Sequence, residues 1–353
     1  MLLDIDNKDW DEFFIEDIST IKPGKRLTKA NMTHGVKPFI GSSDSNNGIT
    51  EFVSNTNASE DSNVLGVNYN GSVVENFYHP YKAIFTDDVK RLSLKDAEGN
   101  KYLYLFLKNA ILKQKGKYQY AYKFNEKRLK RQKIMLPVSG NCQPDYDYME
   151  QYIKALLQKK KEEYKEYSIK ALEQLKHKEI NALEDKEWGE FFIEEIADII
   201  SGKDIYDTER TSGNTPYISS TSKNNGISHF VGNNNQTLER KCLSVNRNGS
   251  VGFSFYHHYE ALFSNDCRKL RPRQNSKYIA FFIANQITKQ KEKYNYGYKM
   301  GTGRLKRQKI MLPISSNGQP DYEYMEQYIK NLEYVKRKKY LEFQLKTKST
   351  GQV

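Results

Sequence analysis

Cysteine is scarce. The 353-residue chain has three, Cys142, Cys242 and Cys267, an odd number with no close pair, which excludes a disulfide framework and lends nothing to a zinc ribbon. Long apolar runs are missing as well: no stretch approaches the roughly 20 residues needed to cross a bilayer. The opening Met1-Leu-Leu-Asp-Ile-Asp6 has neither the basic nor the apolar region of a secretion signal. These absences predict a cytoplasmic protein without a membrane association. Catalytic signatures are also wanting. There is no Gly-rich loop placed to hold a nucleotide or methyl donor, no Walker lysine, and no Asn-Pro-Pro-Tyr or Asp-Pro-Pro-Tyr of amino-methyltransferases. Asp96-Ala-Glu-Gly-Asn-Lys101 has an acidic pair and a lysine, as nucleases do, but it stands in a turn-like insert. His79 and His257 sit beside aromatics at strand ends, with no carboxylate or cysteine cluster suited to metal. No enzymatic activity, cofactor or metal is expected.

Positive charge, by contrast, is in surplus: 56 Lys and Arg against 44 Asp and Glu give a net charge of +12, which favours a polyanionic partner, nucleic acid before an anionic membrane surface. The length is enough for two domains, each with its own core.

The chain repeats itself. Trp10-Asp-Glu-Phe-Phe-Ile-Glu16 returns 178 residues later as Trp188-Gly-Glu-Phe-Phe-Ile-Glu194, and the same displacement carries Pro38-Phe-Ile40 onto Pro216-Tyr-Ile218, Asn46-Asn-Gly-Ile49 onto Asn224-Asn-Gly-Ile227, Asn70-Gly-Ser-Val73 onto Asn248-Gly-Ser-Val251 and Phe77-Tyr-His79 onto Phe255-Tyr-His257. After a two-residue deletion, Arg128 to Pro137 recurs intact as Arg304 to Pro313, and Asp145 to Lys154 as Asp321 to Lys330 with one change. A period this long makes each copy a whole domain plus a tail. Each domain reads as short strands broken by Gly, Asn and Ser, for example Lys37 to Gly41, Val64 to Tyr69 and Val73 to Tyr78. A helix then spans Lys101 to Lys113 (Lys277 to Lys289), and a closing strand Lys133 to Pro137 (Lys309 to Pro313).

Beyond Pro144 neither Gly nor Pro occurs until Gly189, and the Lys, Glu, Leu and Ala composition predicts a helix from Asp145 to about Asn181, roughly 55 Å long. Met149, Ile153, Leu156, Tyr164, Tyr167, Leu172, Leu175 and Leu183 make an imperfect coiled-coil stripe; Met325, Ile329, Leu332, Leu341 and Leu345 supply a partner in the second copy. The expected fold is α+β: two duplicated, mixed strand-rich domains at 1–144 and 188–320, each followed by a long helix at 145–187 and 321–353. The helices are expected to pair as an antiparallel coiled coil with pseudo-twofold symmetry. A flexible charged linker is the alternative for the helical stretch.

The basic residues are concentrated at one equivalent place in each copy. Lys101 to Pro137 carries a net +10 and Lys277 to Pro313 a net +8, together more than the whole chain, so the remainder is acidic. Within these segments Lys113, Lys115, Lys117 and Lys123 alternate with Tyr118, Tyr120 and Tyr122, and Lys289, Lys291, Lys293 and Lys299 with Tyr294, Tyr296 and Tyr298; Arg128 and Arg304 follow. Lysine ammoniums suit phosphates, while tyrosine offers a ring and a hydroxyl. An edge strand guarded by lysines is the plainer reading. Groups able to match base edges fall on predicted loops: Ser43, Asn46, Tyr69 and Asn70 in the first copy, and Thr221, Lys223, Asn224, Arg247 and Asn248 in the second. Turn chemistry alone would also place Asn before Gly.

Taken in order, the Trp-x-Glu-Phe start, the Pro-[Phe/Tyr]-Ile and Asn-Asn-Gly-Ile segments, Asn-Gly-Ser-Val, the Arg128 to Pro137 strand and the helix opening Pro144-Asp-Tyr-Asp-Tyr-Met-Glu150, all present twice, resemble the specificity subunits of type I restriction-modification systems and of the related bifunctional type IIB systems. The resemblance covers nearly the whole chain. It implies two target recognition domains, each binding one half of an interrupted double-stranded DNA sequence. It implies as partners methyltransferase or methyltransferase-nuclease subunits, with a separate restriction subunit as a further candidate. The competing class is an RNA-binding or scaffolding protein in which two basic domains flank a coiled coil, since stacking on tyrosine is sequence-tolerant.

Overall fold

Trp10 opens a strand, β1 (Trp10–Phe14), that runs antiparallel to the last strand of its own repeat, with Trp10 opposite Pro137 and Phe14 opposite Lys133. In this computed structural model, residues 5, 7–118, 122–295 and 297–349 are described, and the chain divides into two compact units, 1–164 and 165–353. After β1 the first unit continues with a single turn α1 (Ile15–Ile18), then β2 (Ser19–Pro23), β3 (His34–Ile40), β4 (Ile49–Val53), β5 (Val64–Asn68), β6 (Asn76–His79), β7 (Ile84–Phe85), β8 (Val89–Leu94), α2 (Lys101–Leu112), α3 (Glu126–Lys130), β9 (Lys133–Pro137) and the start of α4 (Tyr146–Gln174). Three sheets result: the β1–β9 pair, an antiparallel sheet in the order β2-β8-β5-β6, and a mixed sheet β4-β3-β7 in which β3 and β7 are parallel.

The helix α2 forms because Asn100 caps it, its side chain accepting from the Tyr102 and Leu103 N–H groups, and because Leu103, Phe106, Leu107, Ala110 and Ile111 recur at the spacing of one helical face. That face packs on Leu65, Val67 and Leu92 of the four-stranded sheet and on Ile134 and Leu136 of β9. Burying each such side chain is worth about 1.5–3 kcal/mol. A second cluster, Ile40, Val64, Ala83, Phe85 and Val89, joins the mixed sheet to the four-stranded one.

The second unit repeats this order: β10 (Trp188–Phe192), α5 (Ile193–Ile196), β11 (Ala197–Ser201), β12 (Ser212–Ile218), β13 (Ile227–Val231), β14 (Cys242–Asn246), β15 (Ser254–His257), β16 (Leu262–Phe263), β17 (Cys267–Pro272), α6 (Lys277–Thr288), α7 (Thr302–Lys306), β18 (Lys309–Pro313) and α8 (Tyr322–Ser349). Its sheets are β10-β18, β11-β17-β14-β15 and β13-β12-β16. The fold is therefore α+β with two repeated strand-rich domains, each followed by a long helix.

Three local expectations need correction. The strand expected from Val73 begins only at Asn76, because Val74 adopts φ +70° in a turn; Val73 and Val74 are apolar because they are buried there. The helix expected to reach Asn181 ends at Gln174, about 43 Å of helix rather than 55 Å. Side chains of α8 take over the backbone beyond it: Gln327 Nε2 donates to Lys176 O at 2.8 Å, Asn331 Nδ2 to Lys178 O at 2.7 Å, and the Tyr324 hydroxyl to Asn181 O at 3.0 Å. The apolar stripe is also divided by task. Met149 and Ile153 belong to the first domain's core and Met325 to the second's, which is why the compact units part within α4 rather than at either of its ends.

Within the second unit α4 itself meets α8 at Ser168, and the non-helical stretch after Gln174 continues alongside α8 in the antiparallel sense. Ser168 lies against Arg337, His177 against Tyr334 and Lys178 against Asn331, so ascending positions in one segment meet descending ones in the other. Arg337 is buried there, held by Glu333 one turn earlier.

Candidate nucleic-acid interface

Each domain presents a surface built from two loops and the basic segment. Gly71 (φ +57°) and Gly249 (φ +56°) turn the chain after Asn70 and Asn248 so tightly that an added Cβ would stand 2.6 Å from Ser42 O and 2.7 Å from Ser220 O. Only glycine fits both the positive φ and the close approach. The loop after β3 is thereby pressed against the turn after β5, and Asn68 Nδ2 fastens the two by donating to Ser43 O at 2.9 Å, as Asn246 Nδ2 does to Thr221 O at 3.0 Å.

Within the first loop of each domain both asparagines have positive φ, as turn chemistry requires. Their side chains differ in use. Asn47 Nδ2 donates to Tyr78 O and the Tyr81 hydroxyl, and Asn225 to Tyr256 O and the Tyr259 hydroxyl, so these are structural. Asn46 and Asn224 are exposed. Ser43 and Thr221 accept from the N–H groups of Ser45 and Lys223. Asn70 and Asn248, expected at base edges, each commit one Nδ2 donor, to Asp88 at 3.1 Å and to Asp266 at 3.2 Å. Tyr69 packs against Lys90, 5.1 Å from its ring centroid, and burial together with Asp88 pushes its hydroxyl pKa up. Arg247, in the same place in the second domain, stands 3.6 Å from Asp266.

The basic segment adjoins these loops. Lys115 pairs with Glu75 in the turn before β6, and Lys291 lies over the Phe253 ring at 4.9 Å. Lys113, Lys117, Lys289 and Lys293 are exposed. The tyrosines divide: Tyr118 and Tyr294 turn inward, donating to Gln132 and Gln308 at 2.6 and 2.5 Å, and burial raises their pKa. Tyr122 and Tyr298 are about half exposed and stack on them, with ring centroids 5.7 Å apart in both domains. The guanidinium of Arg128 caps Tyr122 at 3.7 Å and that of Arg304 caps Tyr298 at 4.1 Å. Both arginines also donate to the carbonyls of Lys123 and Lys299, which fixes the planes. Tyr120 and Tyr296 lie outside the described residues. The arrangement offers cations for phosphates, one aromatic-guanidinium stack per domain, and exposed polar tips on rigid loops.

Sequence reasoning did not single out Asp88 and Asp266, the anchors of both turns, nor Lys90 and Arg268 beside them. Aligned copies Phe85-Thr-Asp-Asp88 and Phe263-Ser-Asn-Asp266 carried that signal. Among the described residues no group of three or more His, Cys, Asp or Glu is placed to hold a metal, and no helix is long and apolar enough to cross a membrane.

Several known proteins are similar to this chain. It is 62% identical over 144 residues, 41% of its length, to the type II restriction enzyme BgcI specificity subunit S.BcgI of Heyndrickxia coagulans, and it spans 42% of that curated relative. Among solved structures, the type I restriction-modification S subunit from M. genitalium aligns over 96% of this chain and 93% of its own at 17% identity, with a TM-score of 0.47. The HsdS subunit from Thermoanaerobacter tengcongensis aligns over 94% and 96% at 14% identity, with a TM-score of 0.32. The sequence profile of the type I restriction modification DNA specificity domain matches residues 7–166 and again 185–342, one match for each repeat and most of the chain between them. The chain belongs to the family of type I restriction modification DNA specificity domains.

Proposed function

We propose that the chain is the DNA-recognition subunit of a restriction-modification complex. Each domain reads one half of a bipartite duplex target, and the pair positions methyltransferase or methyltransferase-nuclease partners that carry the chemistry. The observation that carries this reading is the same loop-and-cation surface built twice, on Gly71 and Gly249, in a chain whose two halves each match the specificity-domain family. Cations serve register on the phosphates, and the clamped loops serve the bases.

Selection from a random duplex pool by the full chain tests it. The expected outcome is weak binding that enriches two short sequences at a fixed separation, outcompeted by duplex DNA and not by RNA. The pure chain, given Mg²⁺ and a methyl donor, is expected to leave the DNA uncut and unmethylated. Enrichment of RNA, or turnover, overturns the reading.

A further inference from the structure

The two reading surfaces share a skeleton and differ in charge at one spot. Around the anchoring aspartate, Tyr69 is replaced by Arg247, Asp87 by Asn265 and Glu126 by Thr302, and each replacement makes the second domain more positive by one charge. The neighbouring cation changes only from Lys90 to Arg268. In the first domain Lys90 faces Glu126 at 3.5 Å and lies over the Tyr69 ring. In the second, Arg268 is buried and held by neutral partners, with Nε donating to Thr302 Oγ1 at 2.6 Å and one terminal nitrogen to Asn265 O at 2.8 Å. Arg268 is satisfied from within. Arg247 is not: its Nε is buried without an acceptor, and its approach to Asp266, at 3.6 Å, is beyond hydrogen-bond distance. Its partly exposed side chain is thus held on a turn that Asn246 fastens to the loop carrying Thr221 and Asn224, with no side-chain hydrogen bond to a described residue.

The geometry points to Arg247 as a base-reading residue that recognises a guanine in the second half-site through the O6 and N7 acceptors of the major groove. The inference rests on the DNA-recognition reading above. A base is a better partner than a phosphate for two reasons. Phosphates are the same in both halves, so groups that grip them should persist between copies, as Lys113 and Lys117 persist as Lys289 and Lys293. Groups that read bases should change when the halves differ, and position 69/247 changes from a ring to a planar fork of donors. That fork matches guanine bidentately, whereas tyrosine does not.

The test uses the full chain in selections from a random duplex pool, wild type beside Arg247→Tyr, which installs the first domain's residue. We expect the variant to lose its preference for guanine at one position of one half-site, on the order of 10- to 100-fold in discrimination, with the other half-site unchanged. Arg247→Lys keeps the charge but not the planar fork and is expected to weaken the same preference without abolishing it, since an ammonium still reaches guanine O6 or N7. In wild-type duplexes, 7-deazaguanine at that position should weaken binding, and it should be without effect on Arg247→Tyr. Unchanged preferences, or a uniform loss for all sequences with a flatter salt dependence, overturn the assignment and leave the DNA-recognition reading standing. A wild-type chain that enriches no sequence overturns both.

Discussion

His257 Nε2 lies 2.9 Å from the Ser244 hydroxyl on the neighbouring strand. In the first domain Gly66 occupies the place of Ser244, and the equivalent His79 Nε2 is buried without a partner. The duplication supplies the experiment that chemistry would ask for. Replacing Gly66 by Ser should give His79 its missing partner, and it also removes the backbone entropy cost of glycine in a strand. The new Cβ would stand 2.9 Å from Nε2 and 3.3 Å from Phe85, so the imidazole must shift by a few tenths of an ångström. Phe263 and His257 hold the same positions around Ser244, which shows that this packing accommodates a serine. Gly66→Ser is expected to stabilise the first domain by about 1 kcal/mol, and Ser244→Gly to destabilise the second by about 1–2 kcal/mol, both read from denaturant midpoints. Loss of stability in Gly66→Ser would mean that the first domain's strands lie too close for the hydroxyl.

Both histidines make stability depend on pH. Burial, assisted by Lys108 near His79 and by His258 near His257, lowers each pKa from the usual 6.5 to about 4. Below pH 6.5 the unfolded chain takes up a proton that the folded chain refuses until about pH 4. Stability is therefore full above pH 6.5, falls as the pH drops from 6.5 to 4, and levels off below. The slope approaches about 1.4 kcal/mol per pH unit for each histidine. Urea unfolding at pH 7.0 and 5.0 measures it, and the difference should shrink in His79→Leu with His257→Leu, if those variants fold.

Much of the architecture was legible because each signal occurs twice. The Lys133 to Pro137 and Lys309 to Pro313 strands lie where the pattern put them, since a short apolar run, Ile-Met-Leu, ending in proline leaves few choices. What escaped was decided by contacts remote in sequence. Val74 looks like a strand residue until its positive φ is seen, although Gly252 at the same place in the second copy could have warned of it. The end of α4 depends on Gln327 and Asn331, some 150 residues away. In the reading surface, the residue types were visible but not their prior commitments: Asn70 and Tyr118 look free to touch DNA until Asp88 and Gln132 are found holding them.

Those commitments sharpen the expectation for the lysines. Lys113 and Lys117 are exposed, whereas Lys115 is paired with Glu75. Replacing Lys113 and Lys117 by Gln should weaken binding to all duplexes alike and reduce the slope of log affinity against log salt by about 1 for each phosphate that is no longer neutralised. Glu75→Gln should act oppositely, releasing Lys115 and steepening the slope. Titrations over a range of salt concentrations, on target and scrambled duplexes, separate the cases. A changed base preference in the lysine variant would place these residues at bases instead.

The last expectation concerns α4. If the helix is the rigid link between two domains that each read a half-site, its length sets the separation of the halves. The stretch after Gln174 is a poor place to alter it, because Gln327 and Asn331 hold that backbone through its carbonyls. An insertion within the helix, between Lys160 and Lys161, leaves those bonds in place. Four extra residues add about 6 Å of length and about 40° of net rotation beyond one full turn. On duplex DNA, 6 Å corresponds to about two base pairs and 40° to about one, at about 34–36 Å and 10–10.5 base pairs per turn. The lengthened chain should therefore prefer targets whose halves lie one or two base pairs further apart, with the half-site sequences themselves unchanged. Sequencing the duplexes selected by the wild-type and lengthened chains measures the spacer directly. An unchanged spacer in a folded insertion variant would show that the helix does not act as the ruler, and altered half-sites would show that the helix itself takes part in reading bases.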